Sequence, residues 1–288
     1  MTRILKIGDE KFDLDKKTLL MGILNVTPDS FSDGGRFFSI EKAVSRAIEM
    51  EKQGADIIDI GGESSRPGSL PVSAEEEIRR VIPVLEKIVK KVSIPISIDT
   101  HKYKVAKKAL ETGADMINDI SALRNDEKIA DLVSNYDVPI CLMHMKGTPR
   151  DMQKNPFYKD VVMEIKNFLN KQINYAISKG VKKDNIIIDP GIGFGKKTGA
   201  GIEDNCEILR RLKEFKELGQ PILIGVSRKT FIGNICGKEK QLPMDQRLEG
   251  SLAAMCIAVM NGADIVRMHD VLESKRCLRL IDEVIKKA

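Results

Sequence analysis

The sequence lacks several residues on which common structural devices depend. Tryptophan is absent, aromatic residues make up only 5% of the chain, and there are three histidines in 288 residues. The five cysteines are scattered without a C-x-x-C pair, which argues against a disulfide framework and a cysteine-based zinc site. No run of about 18 apolar residues occurs, so the sequence predicts no membrane-spanning helix.

The charge distribution argues against one class of binding partner, nucleic acid. The net charge of +5 is dispersed, and no basic tract carries interleaved aromatic residues, so we expect no nucleic-acid partner. Residues 1–10 lack the apolar centre of a signal peptide, from which we expect a cytoplasmic protein. An apolar content of 42% and a charged content of 31% are ordinary for a soluble globular domain.

A helix–turn–strand unit recurs along the chain. Its strands begin with Gly-Ala-Asp or with Pro-Ile, at residues 54, 113, 262, 95, 139 and 221. Glycine suits the position after a helix end, and proline cannot continue a helix, so each segment predicts a turn followed by a strand. Leu20–Val26 and Ile186–Asp189 bring the number of buried strands to eight.

Helix-like stretches alternate with these strands. They are Glu41–Gln53, Ala74–Val92, Lys102–Thr112, Asp126–Asn135, Tyr158–Lys179, Glu203–Leu218, Met244–Asn261 and Val271–Lys287. Eight such units predict an α/β fold, a single (β/α)8 TIM barrel over residues 1–288, with a doubly wound open sheet as the alternative. Residues 1–19 alternate in character around Gly8 and predict a short N-terminal β-hairpin at the closed end of the barrel.

Polar or soft side chains lie at the end of every predicted strand. The C-terminal ends of the strands are where barrel enzymes have their active sites. These side chains are those of Asn25, Asp59, Asp99, Asn118, Met143, His144, Asp189, Lys229, Arg267 and His269. Asp99, Asn118 and Asp189 provide the acceptors that suit a flat heterocycle with several N–H donors, such as a pterin or purine. Lys229 and Arg267 follow the last two strands, where barrels commonly bind phosphate, although an ion pair is the alternative for Arg267.

Three other patterns have plainer interpretations. None of the three histidines is spaced from another as zinc ligands usually are, and we expect a structural hydrogen bond for His101. The stretch Gly191–Thr198 fails both the P-loop and the dinucleotide patterns, so it is interpreted as a flexible active-site loop. The Gly-, Ser- and Pro-rich segments Asn25–Gly35 and Gly61–Gly68 are typical of mobile lids, with idle surface loops as the alternative.

At these residues the sequence resembles the dihydropteroate synthase family over nearly its whole length. The matching blocks are NVTPDSFSDGG from Asn25, DIGGESSRPG from Asp59, SIDT ending at Thr100, INDI from Ile117, CLMHM from Cys141, DPGIGFGK from Asp189, GVSRKTFIG from Gly225, RLEGSLAA from Arg247 and RMHDV from Arg267. The resemblance implies a (β/α)8 barrel, a homodimer and a sulfonamide target. It further implies the condensation of 6-hydroxymethyl-7,8-dihydropterin pyrophosphate with p-aminobenzoate in folate biosynthesis.

The resemblance also implies roles for individual residues. The implied pterin-binding residues are Asp99, Asn118, Met143, Asp189, Gly225, Lys229 and Arg267. The implied pyrophosphate-binding residues are Asn25, Ser65, Arg267 and His269, with Asn25 also binding Mg2+ as the metal ligand. The implied p-aminobenzoate-binding residues are Phe31, Arg66, Pro67, Phe194, Lys229 and Thr230, and Thr230 stands where serine is usual. The implied catalytic residues are Asp99, Lys229, Arg267 and Asp33.

Two alternatives share the pterin-binding acids. A pterin-binding methyltransferase would not need the first-loop motif or the Ser-Arg-Lys-Thr segment, and the sequence has no cobalamin-binding D-x-H-x-x-G motif. A non-catalytic pterin-binding paralogue would not need Asn25, Lys229, Arg267 and His269 together, because it handles neither pyrophosphate nor metal.

Overall fold

The computed structural model describes residues 3–27, 36–199, 203–237 and 239–285, with the side chains of the first helix described from residue 40. Two residues named above, Phe31 and Asp33, lie outside this part. The chain begins with an antiparallel hairpin of β1 (Ile4–Ile7) and β2 (Glu10–Asp13). The predicted N-terminal hairpin is therefore confirmed.

Eight parallel strands follow. They are β3 (Leu19–Asn25), β4 (Ile57–Gly61), β5 (Ile96–Asp99), β6 (Met116–Asp119), β7 (Ile140–Met143), β8 (Ile186–Asp189), β9 (Leu223–Ile224) and β10 (Ile265–Met268). Their order is β8-β7-β6-β5-β4-β3-β10-β9, and a parallel bridge between Ile188 and Ile222 joins the two ends. The sheet is thus a nearly closed TIM barrel, as predicted, and the open-sheet alternative is wrong.

Helices cover the outside of the barrel. They are α1 (Arg36–Gln53), α2 (Ala74–Ile88), α3 (Tyr103–Thr112), α4 (Lys128–Tyr136), α5 (Val161–Ser178), α6 (Asp204–Arg210), α7 (Thr230–Gly237), α8 (Leu248–Met260) and α9 (Val271–Ile285). The stretch predicted as one helix over Glu203–Leu218 is α6 followed by a 3-10 helix, Leu212–Leu218. No helix in the described ranges is both long and apolar enough to cross a membrane.

The hairpin closes the N-terminal end of the barrel. Leu5, Ile7, Phe12 and Leu14 are buried in a cluster with the inward-facing residues at the starts of the strands, among them Leu19. Apolar side chains therefore fill that end, and the open end is left for polar groups.

The two ends of the chain meet in the barrel wall. The first barrel strand, β3, pairs with the last, β10, with Ile265 opposite Leu19. Just before β3, the backbone N–H and the hydroxyl of Thr18 donate to the Asp282 carboxylate of α9 at 2.9 and 2.7 Å. Closure of the barrel is therefore accompanied by contacts between residues 264 positions apart in the sequence.

Candidate active site

The strand register places the predicted polar residues around one rim. Asn25 lies opposite Gly61, Gly61 opposite Asp99, and Asp99 opposite Asn118. A Cβ on Gly61 would lie 3.6 Å from the Cβ of Asp99 and 3.8 Å from Oδ1 of Asn25. The glycine therefore lets these two side chains face the same small space.

A buried ion-pair cluster forms the centre of the rim. Nε of Arg267 donates to Asp59 at 2.6 Å, and another guanidinium nitrogen donates to Asp99 at 2.8 Å. Asp59 also accepts from Nδ2 of Asn118 at 3.1 Å. The ion pair that the sequence left open as the alternative for Arg267 is therefore present in the structure.

Asp59 is the residue whose part in the site the sequence reasoning missed. It was noted at a strand end without a role, yet it is fully buried and contacts both Arg267 and Asn118. Its other oxygen, Oδ1, is buried without a hydrogen-bond partner in the described structure. The available signal was an acid inside an otherwise apolar strand, because a buried carboxylate requires a counterion.

Burial brings the pKa values of three rim groups closer to neutral pH. Desolvation raises the pKa of Asp99 to about 7, although Arg267 opposes the rise. Desolvation likewise raises the pKa of Asp189 to about 6. The pKa of Lys229 is lowered to about 8, first by burial and then by Arg267. Such clustered shifts are typical of catalytic and binding sites.

The loop after β8 brings an apolar wall against these charges. The backbone N–H of Gly191 donates to Asp189 at 2.7 Å, which fixes one of its carboxylate oxygens. Nζ of Lys229 lies 4.1 Å from the ring centroid of Phe194. Met143 and Phe194 are both buried in one apolar cluster under the rim. The geometry therefore combines acceptors, a cation and an aromatic face.

His269 lies at the rim directly after β10. Its Nδ1 lies 2.9 Å from the Ser227 hydroxyl, and its carbonyl accepts from Arg46 at 3.0 Å. Burial, with Arg267 next, lowers the pKa of His269 to about 3, so the ring is neutral. A neutral ring can still donate one N–H to an oxyanion.

The second loop carries predicted residues that the structure does not bring into the cluster. Arg66 and Pro67 are exposed and Ser65 is half-buried. Within the described ranges, no hydrogen bond joins Arg66 or Pro67 to the rim acids. Thr230, at the start of α7, is exposed as well. Their place in the site therefore stays a prediction.

The base of that loop is held by Glu63. It contacts Nε2 of His101 at 3.1 Å, and Nζ of Lys102 donates to it. Although burial would raise it, hydrogen bonds from His101 and Lys102 lower the pKa of Glu63 to about 2. The structural hydrogen bond expected for His101 is confirmed by this contact.

Comparisons with known proteins identify the family of this chain. A family model described as "Pterin binding enzyme" matches residues 21–269. Dihydropteroate synthase of Clostridium beijerinckii is 47% identical over 98% of this chain and 100% of its own length. The chain belongs to the dihydropteroate synthase family.

Solved structures of family members share the fold. Dihydropteroate synthase of Xanthomonas albilineans with 4-aminobenzoic acid has a TM-score of 0.90 and 43% identity, covering 99% of this chain and 98% of that one. A structure of the same enzyme in complex with 7,8-dihydropteroate has a TM-score of 0.86 and 41% identity, with 98% of both chains covered. The resemblance of this chain to the dihydropteroate synthase family is confirmed over its whole barrel.

Proposed function

We propose that this chain condenses 6-hydroxymethyl-7,8-dihydropterin pyrophosphate with p-aminobenzoate to give 7,8-dihydropteroate and pyrophosphate. The observation that supports this most directly is the rim itself. Asp99, Asn118 and Asp189 converge there with the cations Lys229 and Arg267. Acceptors for a heterocycle thus lie beside positive charge for a phosphorylated leaving group.

The pterin would bind to Asp99, Asn118 and Asp189, with Met143, Gly225 and Lys229 beside it. Asn118 donates its Nδ2 to Asp59, so its Oδ1 remains as an acceptor for a ring N–H. Arg267 uses in-plane donors towards Asp59 and Asp99. Because these bonds lie in the guanidinium plane, its faces remain suited to stacking on an aromatic ring.

The pyrophosphate would meet Asn25, Ser65, Arg267 and His269. The described residues hold no group of three acidic, histidine or cysteine side chains placed for a metal ion. A single amide oxygen from Asn25 fits Mg2+ nevertheless, since that ion keeps several waters and is commonly shared with substrate phosphates. Mg2+ bound there would neutralise charge on the departing pyrophosphate.

In the proposed mechanism the C–O bond to pyrophosphate breaks before the new C–N bond forms. The resulting pterin methyl cation is delocalised into the ring, and Asp99 stabilises it electrostatically. The first two loops then exclude water, which would otherwise capture the cation. The amine of p-aminobenzoate then attacks the cation, forms the C–N bond and loses one proton to the released pyrophosphate. The amine would be bound by Phe31, Arg66, Pro67, Phe194, Lys229 and Thr230, with Asp33 in the first loop.

An omission experiment tests the function. Purified protein is incubated with the pterin pyrophosphate, Mg2+ and p-aminobenzoate, each left out in turn, while pyrophosphate and dihydropteroate are measured. We expect equal amounts of both products, and p-aminobenzoate binding only when pyrophosphate is present. Tight pterin binding without dihydropteroate would instead favour a non-catalytic paralogue or a methyltransferase.

We further propose a cytosolic homodimer. The five cysteines form no disulfide, and the cytosol would keep them reduced. Apolar side chains are exposed on α8 and α9, two helices that pack against each other: Ile257, Met260, Leu280 and Val284. Exposed apolar residues on neighbouring helices are a common feature of subunit interfaces.

A further inference from the structure

Lys196 is a fully buried lysine in the loop after β8 that the mechanism above does not use. Its Nζ donates to the carbonyl oxygens of Gly191 at 2.9 Å and Phe194 at 2.8 Å. It also lies 3.1 Å from Nδ1 of His144. Long charged side chains are rarely buried completely unless each polar hydrogen has a partner, so this placement requires an explanation.

The three contacts match the donors of an ammonium group. Burial lowers the pKa of Lys196 to about 7, so its ammonium form is populated at and below neutral pH. That form has three N–H donors and no acceptor, and the structure provides three acceptors. His144 is able to accept because burial, with Lys196 next, lowers the pKa of its ring to about 2 and keeps it neutral. Nδ1 then carries the lone pair, and the proton must lie on Nε2.

Nζ of Lys196 bonds to the first and last residues of a glycine-rich turn, and the glycines alone would allow that turn several conformations. The turn from Gly191 to Phe194 is closed by a 3.0 Å backbone hydrogen bond. Glycines at 191, 193 and 195 all adopt positive φ, where glycine is freer than other residues. The hydrogen bonds from Nζ to both ends of the turn therefore fix where the Phe194 ring lies.

We propose that Lys196 is a positioning residue for p-aminobenzoate, because its ammonium group holds the turn that places Phe194 against Lys229. This rests on the proposed function, in which Phe194 and Lys229 form one wall of the p-aminobenzoate site. Lys196 makes no hydrogen bond to a rim acid, but its charge interacts with Asp189 at longer range. Because its direct bonds are to the turn that carries Phe194, its effect should fall more on the aromatic amine than on the pterin.

Steady-state kinetics of three variants test the proposal. Lys196→Met removes the three donors while keeping an unbranched side chain, and Lys196→Arg retains a charged donor. The neighbouring Lys197→Met is the matched control. Loss of hydrogen bonds to a charged group should raise the KM for p-aminobenzoate by about tenfold in Lys196→Met. Its kcat and the Kd for the pterin pyrophosphate should each stay within about threefold of the parent, and Lys196→Arg should recover part of the KM.

Two kinetic outcomes would overturn the proposal. One is a KM for p-aminobenzoate in Lys196→Met equal to that in Lys197→Met. The other is an equal loss of pterin affinity, which would mean that Lys196 supports the whole rim.

A spectroscopic measurement on the parent protein needs neither turnover nor a stable variant. Nitrogen-15 spectra of the three histidines should show His144 neutral, with its proton on Nε2. A proton on Nδ1 would overturn the proposal even in an active enzyme. Absence of dihydropteroate formation would overturn the proposed function while leaving this His144 result intact.

Discussion

At the scale of single residues, the rim is defined by two carboxylates that share one guanidinium. Asp59 and Asp99 both bond to Arg267, and Asp59 is completely buried. Buried carboxyl groups can ionise only while a counterion stays in place, and Arg267 is the cation that bonds to both of these. Arg267 therefore stabilises the fold as well as carrying a proposed role in binding.

The first prediction concerns this shared cation. Arg267→Ala removes the cation bonded to both carboxyl groups and should lower the free energy of unfolding by about 3 kcal/mol. Adding Asp59→Asn should restore part of that loss, because it removes one of the two charges. Urea denaturation of the single and double variants measures the coupling. Strictly additive effects would show that the two side chains do not interact.

The second prediction concerns Asp189. Its pKa is raised to about 6 by burial, so the ionised form dominates above pH 6 and is lost as the pH falls through 6. Pterin affinity should fall over the same window. Asp189→Asn should weaken pterin binding about a hundredfold, because it puts an amide donor where the ring also donates, and should remove the part of the pH dependence centred near 6.

The exposed Asp184→Asn is the matched control for that experiment. Calorimetric titration with the pterin pyrophosphate between pH 5 and 8 gives the affinities. An unchanged pH profile in Asp189→Asn would mean that another rim group accepts the ring hydrogens.

The residues that the sequence located correctly are those that depend only on a strand end. Asp99 is the last residue of β5, Asp189 is the last of β8, and Asn118 is the last but one of β6. A parallel barrel brings the ends of its strands together on one rim. The bond between Asp59 and Arg267 spans 208 positions in the sequence. Only closure of the ring brings these two together, and no local pattern encodes that distance.

At the scale of elements, the loop after β8 depends on glycines whose positions are not interchangeable. Gly191 and Gly199 both have positive φ, at 73° and 84°. A Cβ on Gly191 would lie 1.9 Å from the carbonyl oxygen of His144, whereas a Cβ on Gly199 would have no neighbour within 4 Å. A side chain at either glycine would therefore strain the backbone, but only a side chain at Gly191 would also clash with a neighbouring atom.

The third prediction uses this pair. Gly199→Ala should cost about 1 kcal/mol of stability, the ordinary penalty of a left-handed alanine. Gly191→Ala should cost about 3 kcal/mol, since backbone must also shift, and should reduce activity strongly because Asp189 and Phe194 flank the clash. Thermal unfolding and turnover of the two variants provide the comparison. Equal effects would mean that the loop absorbs the extra atom.

One helix of the structure could not be predicted from the sequence. Helix α7 was not predicted, because Thr230–Gly237 contains two glycines and is too short for a clear periodicity. It forms where Phe231 and Ile232 are buried, which is a tertiary effect. The strands were easier to predict, since apolar runs bounded by Gly or Pro need no partner to be recognised.

At the scale of the whole molecule, the fourth prediction concerns the proposed dimer. Met260 and Leu280 are each 68% exposed on α8 and α9. Met260→Lys combined with Leu280→Lys should shift the protein towards monomer, because charge would have to be desolvated in the interface. Sedimentation velocity over a concentration series measures the shift, with Lys107→Met on α3 as a surface control. An unchanged dimer would place the interface elsewhere.

The pairing of β3 with β10 has a consequence for how the protein is made. The first barrel strand finds one of its two neighbours only when residues 265–268 exist, and Asp282, the acceptor for Thr18, lies later still. During synthesis β3 therefore presents an unpaired edge until β10 has been made and has left the ribosome. Unpaired strand edges promote association between chains. The growing chain therefore keeps an incomplete ring throughout the synthesis of β4 to β9, and in that state a chaperone would be of most use.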